Sequence, residues 1–194
     1  MEMQPVKVVL CGPPHSGKSC LREGLKQAIR QIPNAPYPYV LTACPDGEGA
    51  WYSETARNNL ELASKLKQAY KRKFTWEFAH KVANDVKNVN LPLTMIDIGG
   101  IIDDKNKLIV SPATHAVILT GDMKRVPEWQ EFCTELNLKI VAIIYSDYNG
   151  VEDYIESKKP VLKGSIHHLE RGEDISTRPM VQALAWRLVE MSNV

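Results

Sequence analysis

Short runs of unbroken apolarity recur along the chain, separated by longer stretches whose apolar positions fall at spacings of three and four. The runs are VKVVLC at 6–11, YVLTAC at 39–44, LPLTMID at 91–97, HAVILT at 115–120 and KIVAIIY at 139–145. A strand with one wet face alternates, whereas an unbroken run suits a strand covered on both faces, as in a parallel sheet. The intervals read as helices. Residues 17–31 set Leu21, Leu25, Ala28 and Ile32 on one stripe and stop before Pro33, and 54–72 do the same with Leu60, Ala63, Leu66 and Tyr70. Helical patterns follow at 75–88 and at 127–137, which opens on Pro127 where a first turn tolerates the missing N–H. The last helix has Thr177 as its expected N-cap, Pro179 in its first turn, and Met180, Leu184, Leu188 and Met191 as its buried face. This order predicts an α/β fold: a three-layer, doubly wound, mostly parallel sheet with right-handed crossovers. With 194 residues, one domain spanning 1–194 is expected.

Directly behind the first run stands CGPPHSGKSC. Gly12, four residues, then Gly17, Lys18 and Ser19 match the phosphate-binding loop, in which backbone N–H groups curl around phosphate oxygens. A strand before it and an amphipathic helix after it bring free N–H groups and the positive end of a helix dipole to one spot. Gly12 and Gly17 permit close backbone approach, Lys18 is a compact cation for β- and γ-phosphate oxygens, and the Ser19 hydroxyl suits Mg²⁺. Pro13 and Pro14 stiffen the turn but remove two donors, so the cradle relies on the later amides from His15 and Ser16 through Gly17, Lys18 and Ser19 to Cys20.

A nucleotide–Mg²⁺ site also wants a carboxylate at the end of a neighbouring strand, and Asp97 closes the run LTMID with Gly99-Gly100 behind it. Asp97 therefore resembles a Walker B residue and is expected to share the metal with Ser19. After the second run, CPDGEGAWY offers Asp46 or Glu48 to accept a proton from an attacking hydroxyl or water, although Pro-Asp-Gly is equally ordinary turn chemistry. Trp51 and Tyr52 are suited either to stacking on a base or to capping the core. Arg57, Arg72, Arg125 and Arg171 are candidates for a transition-state cation, and nothing in the sequence selects among them. The stretch 146–177 is the least regular; it predicts a short strand at PVLKGSI and is an insertion or a nucleotide-facing lid.

Charge removes some alternatives. Twenty-four Lys and Arg against 23 Asp and Glu give a net charge of +1, so no global field recruits nucleic acid or anionic membrane. The local basic run KLKQAYKRK, 65–73, reads as a solvated helix face or as a surface for a phosphate-rich partner. Four cysteines without a CxxC pair argue for reduced thiols in the cytoplasm, and His167-His168 stands too isolated for a metal site and is expected at the surface. The start of the chain shows no leader pattern and its longest apolar stretch is too short for a bilayer, so no membrane association is expected.

Among phosphate-loop proteins, guanine-specific GTPases carry Asn-Lys-x-Asp late in the fold; LTGDMK and IYSDYNG do not match it. Ile98 follows Asp97 where hexameric motors place Glu. Size and element order are similar to those of small nucleotide kinases, with a kinase-like strand order. The blocks CGPPHSGKS, ACPDGEGAW, LPLTMIDIGG and LERG, spread over 6–190, also resemble the ATPase-like P-loop domain fused to CRISPR-associated ring nucleases, enzymes that degrade cyclic oligoadenylates. That resemblance implies ATP and Mg²⁺ as cofactors and a ring nuclease or an oligonucleotide as partner. It does not carry over nuclease activity. Three readings stay open: an ATPase, a nucleotide-dependent interaction module with negligible turnover, and a small-molecule or nucleotide kinase. A homodimer with a site shared across chains is compatible with each.

Overall fold

Val6–Cys11 (β1), apolar at every position but Lys7, is buried along its whole length and lies inside the sheet. The computed structural model describes residues 4–45, 59, 61–62, 64–65 and 73–193. Along the chain follow α1 (Lys18–Gln31), β2 (Tyr39–Thr42), α2 (Trp76–Asn88), β3 (Leu93–Asp97), α3 (Asp104–Val110), β4 (His115–Thr120), α4 (Val126–Glu135), β5 (Lys139–Asp147), β6 (Tyr154–Ser157), β7 (Leu162–His167) and α5 (Pro179–Ser192). Among the described residues the sheet has seven strands in the order β2-β3-β1-β4-β5-β7-β6, parallel throughout except for β6 against β7. β1 thus lies directly between β3 and β4, with Leu10 in register with Asp97 on one side and with Val117 on the other.

Helices cover both faces, which makes three layers. On one face α1 and α5 pack Leu21, Leu25, Ile29, Leu184 and Leu188 onto Val8 and Leu10. On the other, α2, α3 and α4 bring Val82, Val86, Ile109, Trp129 and Phe132 onto Val9, Ile96 and Ile118. Each large aliphatic side chain so buried stabilises the fold by about 1.5–3 kcal/mol. The odd and even positions of β1 feed different cores, Val8 and Leu10 one and Val9 and Cys11 the other, which is why these four are apolar.

Several boundaries differ from expectation. β2 stops at Thr42, two residues short, although Ala43 N still donates to Asp97 O at 2.8 Å. β5 runs on to Asp147 because β7 pairs with it as far as His167. β7 is the strand expected within PVLKGSI, while β6 and α3 were not legible: YIES is a short edge strand, and α3 has seven residues, started by Asp103 accepting from Asn106 N at 2.7 Å. Thr177 is not the cap of α5. Arg178 holds that position without a side-chain bond, and the donor Met180 N is taken by Asp153 Oδ2 at 3.0 Å from the turn before β6. Met191 is half-buried rather than buried. Most of the helix expected over 54–72, with Leu60, Ala63, Leu66 and Tyr70, lies outside the described residues. No helix among the described residues is long and apolar enough to cross a membrane.

Asp153 ties this C-terminal region together. Its side chain is fully buried, and besides Met180 N it accepts from His167 N at 3.1 Å and meets His167 Nδ1 at 2.6 Å. His167 is accordingly a partly buried structural residue, not the surface group expected. Replacing Asp153 by Ala leaves two buried N–H donors without their acceptor, so Asp153→Ala should cost about 2–4 kcal/mol. The urea midpoint measures this; a midpoint within experimental scatter of the parent would refute the assignment.

Candidate phosphate-binding site

At the end of β1 the backbone leaves the sheet through Gly12 (φ 144°), turns at His15 (φ 61°) and Gly17 (φ 91°), and enters α1 at Lys18. Gly17 is the N-cap, with no side-chain capping bond, so the first N–H groups of α1 face the loop without a side-chain acceptor at the cap. A Cβ on Gly17 would stand 2.6 Å from Leu169 Cδ1, which shows how closely the segment after β7 packs on the turn. Lys18 is buried and folded over the loop, its Nζ donating to Gly12 O at 2.7 Å and to Pro13 O at 2.9 Å. Ser16 Oγ is buried and makes no hydrogen bond among the described residues. An orphaned hydroxyl is rare in a folded interior, and here it borders a cavity.

That cavity, about 400 Å³, opens on the β4–β5 side of the loop. Residues 15–20 form one wall, Gly121 and residues 145–149 at the carboxyl ends of β4 and β5 form the other, and Leu169 and Arg171 close it. From the stretch 146–177, read as an insertion or lid, residues 146–149, Leu169 and Arg171 line this cavity. The stretch is tethered: Arg178 NH1 donates to His167 O and to His168 O, Arg178 pairs with Glu173 at 3.0 Å, and the Tyr148 and His168 rings lie 4.9 Å apart. Parallel α/β sheets collect ligands beyond the carboxyl ends of their strands at the point where the order reverses, here between β1 and β4.

The opposite flank belongs to β3. Asp97 ends it, 2 % exposed, and Arg22 NH1 meets Asp97 Oδ2 at 2.7 Å. The same guanidinium reaches Glu23 Oε1 at 3.1 Å through both Nε and NH2. Beyond Asp97, the chain lies against the front of the loop, and a Cβ on Gly100 would stand 2.3 Å from Pro14 N. Asn106 Nδ2 steadies this turn by donating to Ile101 O at 2.9 Å. Beneath the loop, burial raises the Cys11 thiol well above its ordinary range, and Cys133 is lowered as the acceptor of the Cys11 hydrogen bond. The four cysteines form no disulfide.

Of the expected residues, His15, Ser16, Gly17, Lys18, Ser19 and Cys20 line the cavity together, whereas Pro13 and Pro14 instead form the surface on which Gly100 rests. Asp46, Glu48, Trp51, Tyr52, Arg57 and Arg72 lie outside the described residues. Arg125 pairs with Glu128 at 2.6 Å at the start of α4, away from the loop, and Arg171 is the candidate that reaches the cavity. Sequence reasoning missed Arg22, whose signal was its place one helical turn after Lys18; it weighed residues 145–149 for a guanine motif and, from 146 on, as part of an insertion or nucleotide-facing lid, without assigning any of them to the site. A serine hydroxyl and a carboxylate are hard oxygen donors of the kind Mg²⁺ takes, and Ser19 and Asp97 offer that chemistry, Asp97 with one oxygen bonded to Arg22.

No family model matches the chain, and no curated protein does. By structure it is similar to a Borrelia burgdorferi B31 protein assigned to plasmid partition, bound to AMPPNP: TM-score 0.64 and 12 % identity over 98 % of this chain and 100 % of that one. A sugar kinase from a Janibacter species aligns over 96 % of this chain and 95 % of its own, but at 11 % identity and TM-score 0.36 the likeness is too low to inform the fold. The fold is that of P-loop NTPases: a mostly parallel sheet between helical layers, with the phosphate-loop strand beside the Asp97 strand in kinase-like order.

A side chain at position 17 must both adopt a left-handed backbone and displace Leu169, so Gly17→Ala should lose about 1–3 kcal/mol of stability. Pro14→Ala, at an exposed position, is the control and should stay within about 0.5 kcal/mol. Thermal unfolding of both variants is the measurement, and equal midpoints would show that the turn is not held as described.

Proposed function

We propose that this chain binds ATP with Mg²⁺ at the loop 12–19 and hydrolyses or transfers the γ-phosphoryl group. The observation that carries this reading is the buried Lys18 ammonium folded over a loop of left-handed turns, with a carboxylate strand on one flank and a cavity on the other. Loop amides hold the β- and γ-phosphate oxygens, and Lys18 exchanges its two carbonyl partners for phosphate oxygens of greater negative charge. Ser19 and Asp97 would hold the ion, which when bound would offset the phosphate charge. The cavity toward β5 takes the nucleoside, with Arg171 at its edge. Tyr-Ser-Asp-Tyr-Asn at 145–149 is not a guanine motif, which favours adenine, the base of the AMPPNP held by the Borrelia protein. In transfer, the attacking hydroxyl or water forms the new P–O bond as the β–γ bridge breaks, and its proton passes to Asp46 or Glu48.

On the resemblance of its motifs, we further propose that the protein serves as an accessory to a CRISPR-associated ring nuclease or to an oligonucleotide, in the cytoplasm and as a homodimer. A second reading, a nucleotide-dependent interaction module with negligible turnover, is favoured by one contact. Gly100 rests on Pro13 and Pro14, so a polyphosphate that shifts the loop front also shifts the chain after Asp97. A kinase of small molecules or nucleotides remains a branch of the first reading.

Calorimetry paired with phosphate release tests the proposal. The wild type should bind ATP with Mg²⁺, and Lys18→Ala should lose about 100-fold or more in affinity and turnover, as expected when a buried charge-assisted contact is removed. Tight binding without release of phosphate, and without phosphorylated product when acceptors are offered, selects the module. Wild-type turnover in Lys18→Ala, or no nucleotide binding at all, overturns the proposal.

A further inference from the structure

Arg22 sits one turn beyond Lys18 on α1 with its side chain 2 % exposed, and it bridges two carboxylates of different character. Asp97 is 3 % exposed and bonded to NH1 at 2.7 Å; Glu23 is 43 % exposed and bonded to Nε and NH2 at 3.1 Å. A carboxylate as buried as Asp97 is costly without a partner, and Arg22 supplies one that is part of the chain. Lys18, on the same helix and at the same loop, adds a second fixed cation. A free divalent cation approaching Asp97 therefore meets a carboxylate already paired, and must displace a guanidinium bonded to it at 2.7 Å. A cation that arrives on a polyphosphate brings its own excess of negative charge, which those two cations attract.

We propose that Arg22 is a positioning residue that makes divalent-metal loading at Asp97 conditional on nucleotide. Arg22 and a free cation compete for Asp97, and Arg22 prevails until a polyphosphate at the loop adds its negative charge and brings the cation with it. Glu23 completes the device. When Asp97 turns to the metal, the guanidinium keeps its two bonds to Glu23 and is not left buried and unpaired, the arrangement that would otherwise oppose release. The inference rests on the proposed placement of the metal at Asp97.

The test uses Mn²⁺ as probe and electron paramagnetic resonance of the free ion as readout, on the full chain with and without AMPPNP. The wild type should bind Mn²⁺ strongly only with the nucleotide. Arg22→Gln should gain a nucleotide-independent Mn²⁺ site about tenfold tighter or more, since a neighbouring charge has been removed, and the added change Asp97→Asn should abolish it. Arg22→Lys keeps the charge and should, like the wild type, show no strong Mn²⁺ site without nucleotide. A merely structural arginine would change stability without creating a metal site. Mn²⁺ binding by the wild type as tight without nucleotide as with it, or Arg22→Gln binding no better than the wild type, overturns the inference. Should Arg22→Gln not fold, Arg22→Met, which keeps much of the length without the charge, takes its place and is read by the same two outcomes. Absence of AMPPNP binding by the wild type would refute the proposed function, while the comparison without nucleotide would still decide the role of Arg22.

Discussion

The parallel pairing of β1 with β3 on one side and β4 on the other is the constraint from which the site follows. A strand hydrogen-bonded at both edges and covered on both faces has no freedom of position, so Gly12, the next residue, starts its turn from a fixed point. The register then decides the company it keeps. Leu10 opposite Asp97 sets that carboxylate beside the end of β1, and Ile118 opposite Cys11 sets the end of β4, with Gly121 three residues on, along the other flank. A shift of one residue in either pairing would also swap the two cores, since Val8 and Leu10 serve one and Val9 and Cys11 the other. Packing energy spread over dozens of side chains thus protects the placement of a few polar groups that contribute little stability themselves.

Those polar groups would be costly anywhere else. Lys18, Arg22 and Asp97 are all nearly inaccessible to water, and the desolvation of such charges is offset only when each has a well-placed partner. Lys18 turns to loop carbonyls, and Arg22 and Asp97 turn to each other. Each of these bonds is made to something weaker than, or different from, a phosphate or a metal ion, so each can be exchanged. Lys7 makes a useful contrast. It is also buried, but its Nζ donates at 2.7 and 2.9 Å to the carbonyls of Val86 and Lys87, closing the end of α2, and there a lysine is simply a helix cap.

What could be read from the chain follows from how local each signal is. β1, β4 and α1 announced themselves through continuous apolarity, helical spacing and the glycines between them, because both the driving force and the turn chemistry lie within a dozen residues. β6 did not, since YIES is four residues long at a sheet edge and buries little. α3 did not, since a seven-residue helix depends on Asp103 at its cap and on packing against α2 from elsewhere in the sequence. Lys18 and Ser19 were legible as members of a contiguous motif. Arg22 was not, although only four residues away, because its meaning comes from Asp97, seventy-five positions on. The cap of α5 was missed for the same reason: Thr177 satisfied a local rule, and Asp153 met the need from a distance.

The C-terminal third belongs to the site as much as the motif does. β7 extends the sheet beside β5, and the chain leaving it is pinned by Asp153, His167 and Arg178, so Leu169 and Arg171 are delivered to the loop by a rigid connection. Leu169 meets Gly17 at the cap of α1, and Ile175 meets Gly24 seven residues further along the same helix, where a Cβ would stand 2.4 Å from its Cγ1. α1 is therefore clasped at two points by one segment, while Gly100 holds the loop front from the β3 side. With the loop seated from both flanks, a displacement at residues 12–17 must move either the chain after Asp97 or the segment 169–175. A packed interior does not deform smoothly, so such a displacement resolves into discrete arrangements. The two glycines that look dispensable for chemistry, Gly24 and Gly100, are the places where that mechanical connection is made.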